Sequence, residues 1–307
     1  MALDNALITQ QRLMAAKLET TTGTAIDFEA TDAAFNVFEP ELNYNFNYIQ
    51  RAGQSSASPL TGTSGLKTGT FTFQSELQGD GVSGSNTWGD VLLAGCGFAA
   101  TGTTFTTGKA LQETLTMGLY EDGRVRRIAG AVGKVTFNFI TGQPVKASWE
   151  FTGKYELPAT AAILAPTYPT TIPPRFSNAT VTVGAVAQKI SEMEIVVENE
   201  IAERHNPADN DTGIYAYTIT NRKVTVTMDS EAALAKNWYT SMDANTEVAL
   251  EVILGSNSGN VVTIGAPAMQ LTELNSGDRN GILTDALTFQ CNRSAAAGDD
   301  ELSITFG

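Results

Sequence analysis

The sequence predicts a mainly-β protein. It reads as two tandem domains of sandwich or barrel type, each with one flanking α-helix, plus a further helix at the N-terminus. Three observations carry this. Segments that alternate apolar and polar residues recur along the chain, the pattern of half-buried strands. Charged residues are only 17% of the chain, below the usual level of about a quarter; Thr, Gly, Ala and Asn fill the gap, a mixture suited to strands and turns. The same order of elements is also met twice, on either side of a proline-rich stretch.

Residues 4–19 have the stripe of a helix, with Asp4 as cap and Ala6, Leu7, Leu13, Met14, Ala16 and Lys17 on one side. Residues 41–49 alternate, Leu42, Tyr44, Phe46 and Tyr48 facing one way and Glu41, Asn43, Asn45 and Asn47 the other. A long polar, glycine-rich loop (51–67) leads to a second alternating strand, 68–77, with Phe71 and Phe73 on one face. A short helix is expected within 86–98, then strands at 113–123, 133–142 and 146–157 joined by Asp-Gly and Thr-Gly turns. Pro158, Pro166, Pro169, Pro173 and Pro174, half of all prolines, mark 158–180 as a linker. The order then returns: a strand at 189–201, a polar loop at 203–213, a strand at 221–231, a helix at 231–242, and strands at 246–254, 261–277 and 282–293. The domains are therefore expected at 1–157 and 181–307, the products of an internal duplication.

Composition and motifs exclude several classes. The net charge of −14 argues against binding nucleic acid by neutralising phosphates. No apolar run reaches the length of a membrane-spanning helix, and residues 1–19 lack the uninterrupted apolar stretch of a signal peptide. Cys96 and Cys291 lie among apolar residues and read as buried free thiols. His205 is the sole histidine and sits in a polar loop, so a histidine-based nucleophile or a multi-histidine metal site has no support. Residues 102–110 resemble a phosphate loop only superficially: five residues separate Gly102 from Gly108, and Ala110 stands where Ser or Thr must hold magnesium. Residues 209–213 lack calcium-loop spacing. Arg124, Arg126 and Arg127, beside Glu121 and Asp122, read as a salt-bridged turn or a subunit contact. No catalytic residue, cofactor or metal is expected.

The informative constellation is a polar strand face. Glu192, Glu194, Glu198 and Glu200 share one side of their strand, with Thr225, Thr227 and Asp229 on the next. In the front half the matching residues are Glu41, Asn43, Asn45 and Asn47 with Thr72, Gln74 and Glu76. A carboxylate row on one strand is costly through like-charge repulsion unless it faces a wide aqueous space. The competing reading is an ordinary solvated outer face.

Residues 15–24 (AAKLETTTGT), 69–81 (GTFTFQSELQGDG), the W-x-x-x-L-L-x-G-C-G-F run at 88–98 and 119–155 together resemble the tail tube proteins of long-tailed, siphophage-type bacteriophages. The resemblance is carried by the ordered set over 10–157 and is fainter beyond it. It implies small β-sandwiches with a flanking helix, whose inner sheets join between copies into a barrel around a lumen. Stacked rings would then form a tube that conducts DNA during ejection without binding it specifically. The polar-face residues above would line the lumen. A duplicated chain would form a ring of three with pseudo-sixfold symmetry, rather than six. The partners implied are further copies of the chain and other tail proteins at the tube ends, and the location is the virion tail after synthesis in the host bacterial cytoplasm. The long loops 51–67 and 203–220, the linker and the helix 4–19 are candidates for ring-to-ring contact. The alternatives are another assembling virion β-protein, such as a decoration or fibre protein, or a β-sandwich module binding glycans or proteins. A glycan binder would show exposed aromatics, whereas Trp88 and Trp238 fall in expected helices and Trp149 on an apolar strand face.

Overall fold

The computed structural model describes residues 11–53, 57–82, 89–108, 113–208, 212–234 and 236–307. The front half contains β1 (Arg12–Leu18), β2 (Val37–Asn45), β3 (Tyr48–Arg51), β4 (Leu60–Ser64), β5 (Thr68–Glu76), the helix α1 (Gly89–Gly95), β6 (Phe98–Thr101), β7 (Thr104–Thr107), β8 (Leu115–Glu121), β9 (Arg124–Ile140) and β10 (Lys146–Thr160). The back half contains β11 (Ala179–Val183), β12 (Val186–Ala187), β13 (Ile190–His205), β14 (Ile214–Glu231), the helix α2 (Trp238–Asp243), β15 (Glu247–Leu254), β16 (Val262–Arg279), β17 (Ile282–Cys291) and β18 (Ser303–Phe306). The protein is mainly β, as its alternating segments predict.

Among the described residues, all strands but β3 and β4 belong to one 16-stranded antiparallel sheet. In the front half the neighbours run β1–β8–β9–β10–β5–β2, and in the back half β11–β15–β16–β17–β14–β13. The two series have the same order, and each helix follows the corresponding strand, β5 or β14. Local sequence agrees: Thr-Phe-Thr-Phe-Gln-Ser-Glu at 70–76 in β5 stands beside Thr-Val-Thr-Met-Asp-Ser-Glu at 225–231 in β14. The halves meet edge to edge where β9 pairs with β13, Val135 opposite Val197 through Ile140 opposite Glu192.

The strand β9 is 17 residues long and serves two layers. Its first part pairs with β8 and its last part with β13. Between them Gly130 takes a φ of +59°, and a Cβ there would lie 3.0 Å from Cα of Ala216. Only glycine accepts both conditions without strain. The core lies between the layers. Phe73 stacks on Trp149 and on Phe151 with centroids about 6 Å apart, and Trp149 donates its indole N–H to Ser75 Oγ at 2.8 Å, satisfying the one polar atom that its burial would otherwise strand. Each such side chain stabilises the fold by about 1.5–3 kcal/mol through burial.

Several expectations are corrected. The helix expected at 4–19 is a strand over Arg12–Leu18, paired with β8 from Arg12 opposite Glu121 to Leu18 opposite Leu115; residues 1–10 lie outside the described residues. Leu13 and Ala15 pack into one apolar cluster and Met14 and Ala16 into another, so the strand is buried on both faces and lacks alternation. The loop 51–67 contains β4, which pairs with β3 as a separate hairpin. The loop expected at 203–213 gives up Glu203–His205 to β13, and of the longer stretch 203–220 the residues from Ile214 belong to β14. The helix expected at 231–242 is confined to Trp238–Asp243, because Glu231 continues β14 and is held there by Arg279. The linker 158–180 loses its first residues to β10 and its last two to β11. The helix expected within 86–98 is present over Gly89–Gly95; Trp88 lies outside the described residues.

Candidate assembly surface

Sheet register brings residues from distant segments into transverse rows on one polar face. One row runs Gln74, Ser148, Thr136, Val196, Thr225, Gln290 and Gln270, one residue from each of seven neighbouring strands. The adjacent row runs Glu76, Lys146, Asn138, Glu194, Thr227, Thr288 and Glu273. A third begins Glu41, Thr72, Glu150 and Lys134. Two open concavities, of about 400 and 480 Å³, lie on this face. One is floored near Asn138, Glu194 and Thr227, the other near Thr72, Thr136 and Glu198. The polar face is therefore hollowed, across the join between the two halves.

Of the residues singled out in the sequence, Glu41, Asn43, Thr72, Gln74, Glu76, Glu192, Glu194, Glu198, Thr225 and Thr227 share this face by strand parity and register. Asn43 donates to Glu41 Oε1 at 3.0 Å. Asn45 ends β2 opposite Thr68 with the parity of Asn43, and its Oδ1 accepts the N–H of Asn47, which lies beyond the strand with a φ of +41°. Glu200 sits at a register shift in β13, exposed and opposite Asn221. Asp229 is tied down. It accepts from the backbone N–H groups of Ser191 and Glu192, from the Ser191 hydroxyl, and from Arg279 at 2.7 Å. Burial alone would push its carboxyl up, but these bonds outweigh that and hold it below the usual range.

The face is not the purely acidic wall that one strand suggests. Lys223 stands opposite Glu198, Lys146 opposite Glu76, and Lys134 pairs with Glu150 at 3.2 Å. Sequence reasoning missed these lysines, though each has the parity of the face. It also missed Asn199. This residue is 6% exposed and donates to the carbonyl oxygens of Cys96 at 2.9 Å and Gly133 at 2.7 Å. It thereby ties the end of α1 and the middle of β9 to β13. The signal was available: a polar residue stands at the parity of Met193, Ile195 and Val197.

The remaining candidates are structural. Arg124 and Arg126 both bind Glu121, at 2.6 and 2.8 Å, while Arg127 binds Asp27 at 2.9 Å. Burial would raise the Glu121 carboxyl, but hydrogen bonds from Arg126 and Arg124 prevail and depress it. His205 is exposed beside Glu203, 3.3 Å away. Both cysteines are buried and free. Burial pushes the Cys96 thiol well up, and burial with the nearby Glu301 pushes Cys291 up to about 12, so neither is a ready thiolate at neutral pH. Among the described residues, Gly102 turns a simple hairpin between β6 and β7, and no cluster of His, Cys, Asp or Glu could hold a metal. No helix among them is long and apolar enough to cross a membrane.

A family model described as phage tail tube protein matches residues 9–306. No curated protein matches the chain.

Proposed function

Because the chain belongs to the phage tail tube protein family, we propose that three copies close into a ring, that rings stack into the tail tube, and that DNA passes along the hollowed polar face during ejection. The family is structural and its place is the virion tail, where its members assemble with themselves and with other tail proteins. In this reading residues 1–157 and 181–307 are two copies of one tail tube unit joined by 158–180, and the chain is the major tube subunit of a siphophage-type tail. It has no catalytic task.

The observation that supports it is the β9–β13 joint. Two units of the same strand order meet edge to edge inside one chain, so the chain contains one example of the contact by which units would meet between chains. Each chain contributes the eight-strand run β16–β17–β14–β13–β9–β10–β5–β2. Three chains give about 24 strands; at ~4.8 Å spacing and roughly 40° tilt the backbone radius is roughly 24 Å. Six chains would double it. Closing the sheet also removes exposed strand edges.

The chemistry of the face suits passage rather than binding. Carboxylates outnumber lysines, and the lysines are interleaved with carboxylates, Lys134 being paired with Glu150. A phosphate backbone would meet no cluster of cations to hold it. Glu41, Glu192, Glu194 and Glu198 are the residues on which repulsion would act.

Electron microscopy and ring mass measurement of the concentrated protein test this. The expected result is tubes of uniform width with three chains per ring. Six chains per ring would refute the trimer, and a protein that stays monomeric at high concentration under all ionic conditions would refute the tube.

A further inference from the structure

Among the described residues, the eight-strand run has an unpaired strand edge at each of its two ends. β2 pairs only with β5. The distal part of β16, beyond its pairing with β15, is bonded on one side only, to β17. We infer that these are the two sides of the contact between chains, that its register follows from the β9–β13 joint, and that Arg126 masks one side until the other arrives. The inference rests on the ring reading above and adds the strands, the register and the guard.

The register follows from equivalences fixed within the chain. The matching heptapeptides align Phe71 of β5 with Val226 of β14 and Phe73 with Met228. Leu42 lies opposite Phe71 and Ile195 opposite Val226, so Leu42 corresponds to Ile195. On the other flank, Phe73 is opposite Trp149 and Trp149 opposite Val135; Met228 is opposite Leu287 and Leu287 opposite Leu274. Val135 therefore corresponds to Leu274. The hairpin turns give the same offset, since Thr141-Gly142 after β9 matches Asn280-Gly281 after β16, with φ of +87° and +84° at the two glycines. Transferring the internal pairs, Phe137 with Ile195 and Thr136 with Val196, puts Ser276 of one chain opposite Leu42 of the next, and Asn275 opposite Asn43. Asn43 and Asn275 both lie on the polar face, so the hollow would continue across the contact.

The β2 edge is blocked in the single chain. Arg126 donates to the carbonyl oxygen of Leu42 at 2.6 Å, while its other nitrogens grip Glu121 at 2.9 and 2.8 Å. A cleft of about 420 Å³ runs along β2 between Pro40, Glu41 and Asn43 on one side and Arg12 and Arg126 on the other. Pro40 supplies no N–H, and a register shift interrupts the strand between Phe38 and Glu41. Such devices keep an edge from pairing with the wrong strand. Leu42 corresponds to Ile195, which the internal joint engages with β9, so Arg126 occupies the position where a neighbour must bind.

The test is cysteine pairing. Asn43→Cys with Asn275→Cys should give disulfide-linked ladders, ending in a covalent trimer, when assembled protein is oxidised. The buried native thiols should give none. Asn43→Cys with Ser276→Cys, one residue out of register and on the other face, should not link. If the double variant does not assemble, a mixture of the two single variants supplies the same contacts. Tubes that form without linking would overturn the register while leaving the tube reading intact; wild-type protein that forms no tubes would sink both. For the guard, Arg126→Lys keeps a positive charge beside Glu121 but loses the fork. It should lower the concentration at which tubes appear by about tenfold, the effect of losing roughly one hydrogen bond. Unchanged or weaker assembly, with an unchanged melting temperature, would overturn it.

Discussion

Asn199→Ala tests whether the two halves are held together as the structure implies. The side chain bonds two carbonyl oxygens, those of Cys96 and Gly133, at 2.9 and 2.7 Å in a site only 6% exposed. Removing the amide leaves both carbonyls without this donor, at about 1–3 kcal/mol each. Its own Oδ1 has no partner among the described residues, so deleting it relieves about 1 kcal/mol. The net loss is about 1–5 kcal/mol. For a 307-residue chain the unfolding entropy converts each kcal/mol into about 1.5 °C, so the unassembled protein should melt about 1.5–8 °C lower by circular dichroism. Asn199→Asp should be worse, because a carboxylate would face two carbonyl oxygens. Its carboxyl would be raised in the folded state, so its penalty is smallest in acid, where the protonated acid can donate to one of the two carbonyls, and grows as pH rises above about 4. A loss below 1 °C for the alanine variant, or an aspartate variant indifferent to pH, would refute the role assigned to this residue.

Other outcomes follow from the same geometry. Glu121 and Asp229 are both held below the usual carboxylate range, so their contribution is complete above the unfolded value of about 4 and is lost as pH falls through the depressed folded values; Glu121→Gln and Asp229→Asn should melt lower at pH 7 and show a flatter decline in acid, measured by thermal scans from pH 7 to 2. Gly259→Ala should destabilise by roughly 2–4 kcal/mol in urea titration, since its Cβ would meet the Gly81 carbonyl carbon at 2.5 Å in a backbone with φ of +80°. Ser75→Ala, which removes the hydroxyl that accepts the Trp149 indole N–H at 2.8 Å, should cost about 1–2 kcal/mol in the same titration. Neutralising Glu41, Glu192, Glu194 and Glu198 together should leave the monomer folded and slow DNA ejection; unchanged infectivity would remove those residues from the proposed path.

The strands were legible where one face is buried and the other is wet. β5, β13, β14 and the end of β9 alternate cleanly, and so do their burial patterns. β1 was not legible because its neighbours bury both of its faces, leaving a run of Leu, Met and Ala that reads as readily as a helix. Residues 231–237 have helical composition, yet the Arg279 ion pairs extend β14 into them at Glu231. The polar face was half legible. Parity within a strand is written in the sequence, and it gave the carboxylates; partners across strands are set by register, and so the lysines opposite them were not seen. The edges and the Arg126 contact depend on residues far apart in the chain and leave no local pattern.

β18 pairs on one side with β16 and on the other with β7, and Thr305 shares a hydrogen bond with Thr104, 201 residues away in sequence. This bears on time rather than on shape. Strand pairing over such a separation is slow, because loop closure must precede any gain from the contact. A ribosome adds roughly 5–20 residues per second, so β7 waits on the order of ten seconds or more for the strand that covers it. During that interval the front half has an unfinished sheet, and the crowded translation of a virion protein would bring many such halves together. The chain is thus expected to need either rapid dilution or a chaperone while it is being made, a requirement that ends once Ser303–Phe306 is seated.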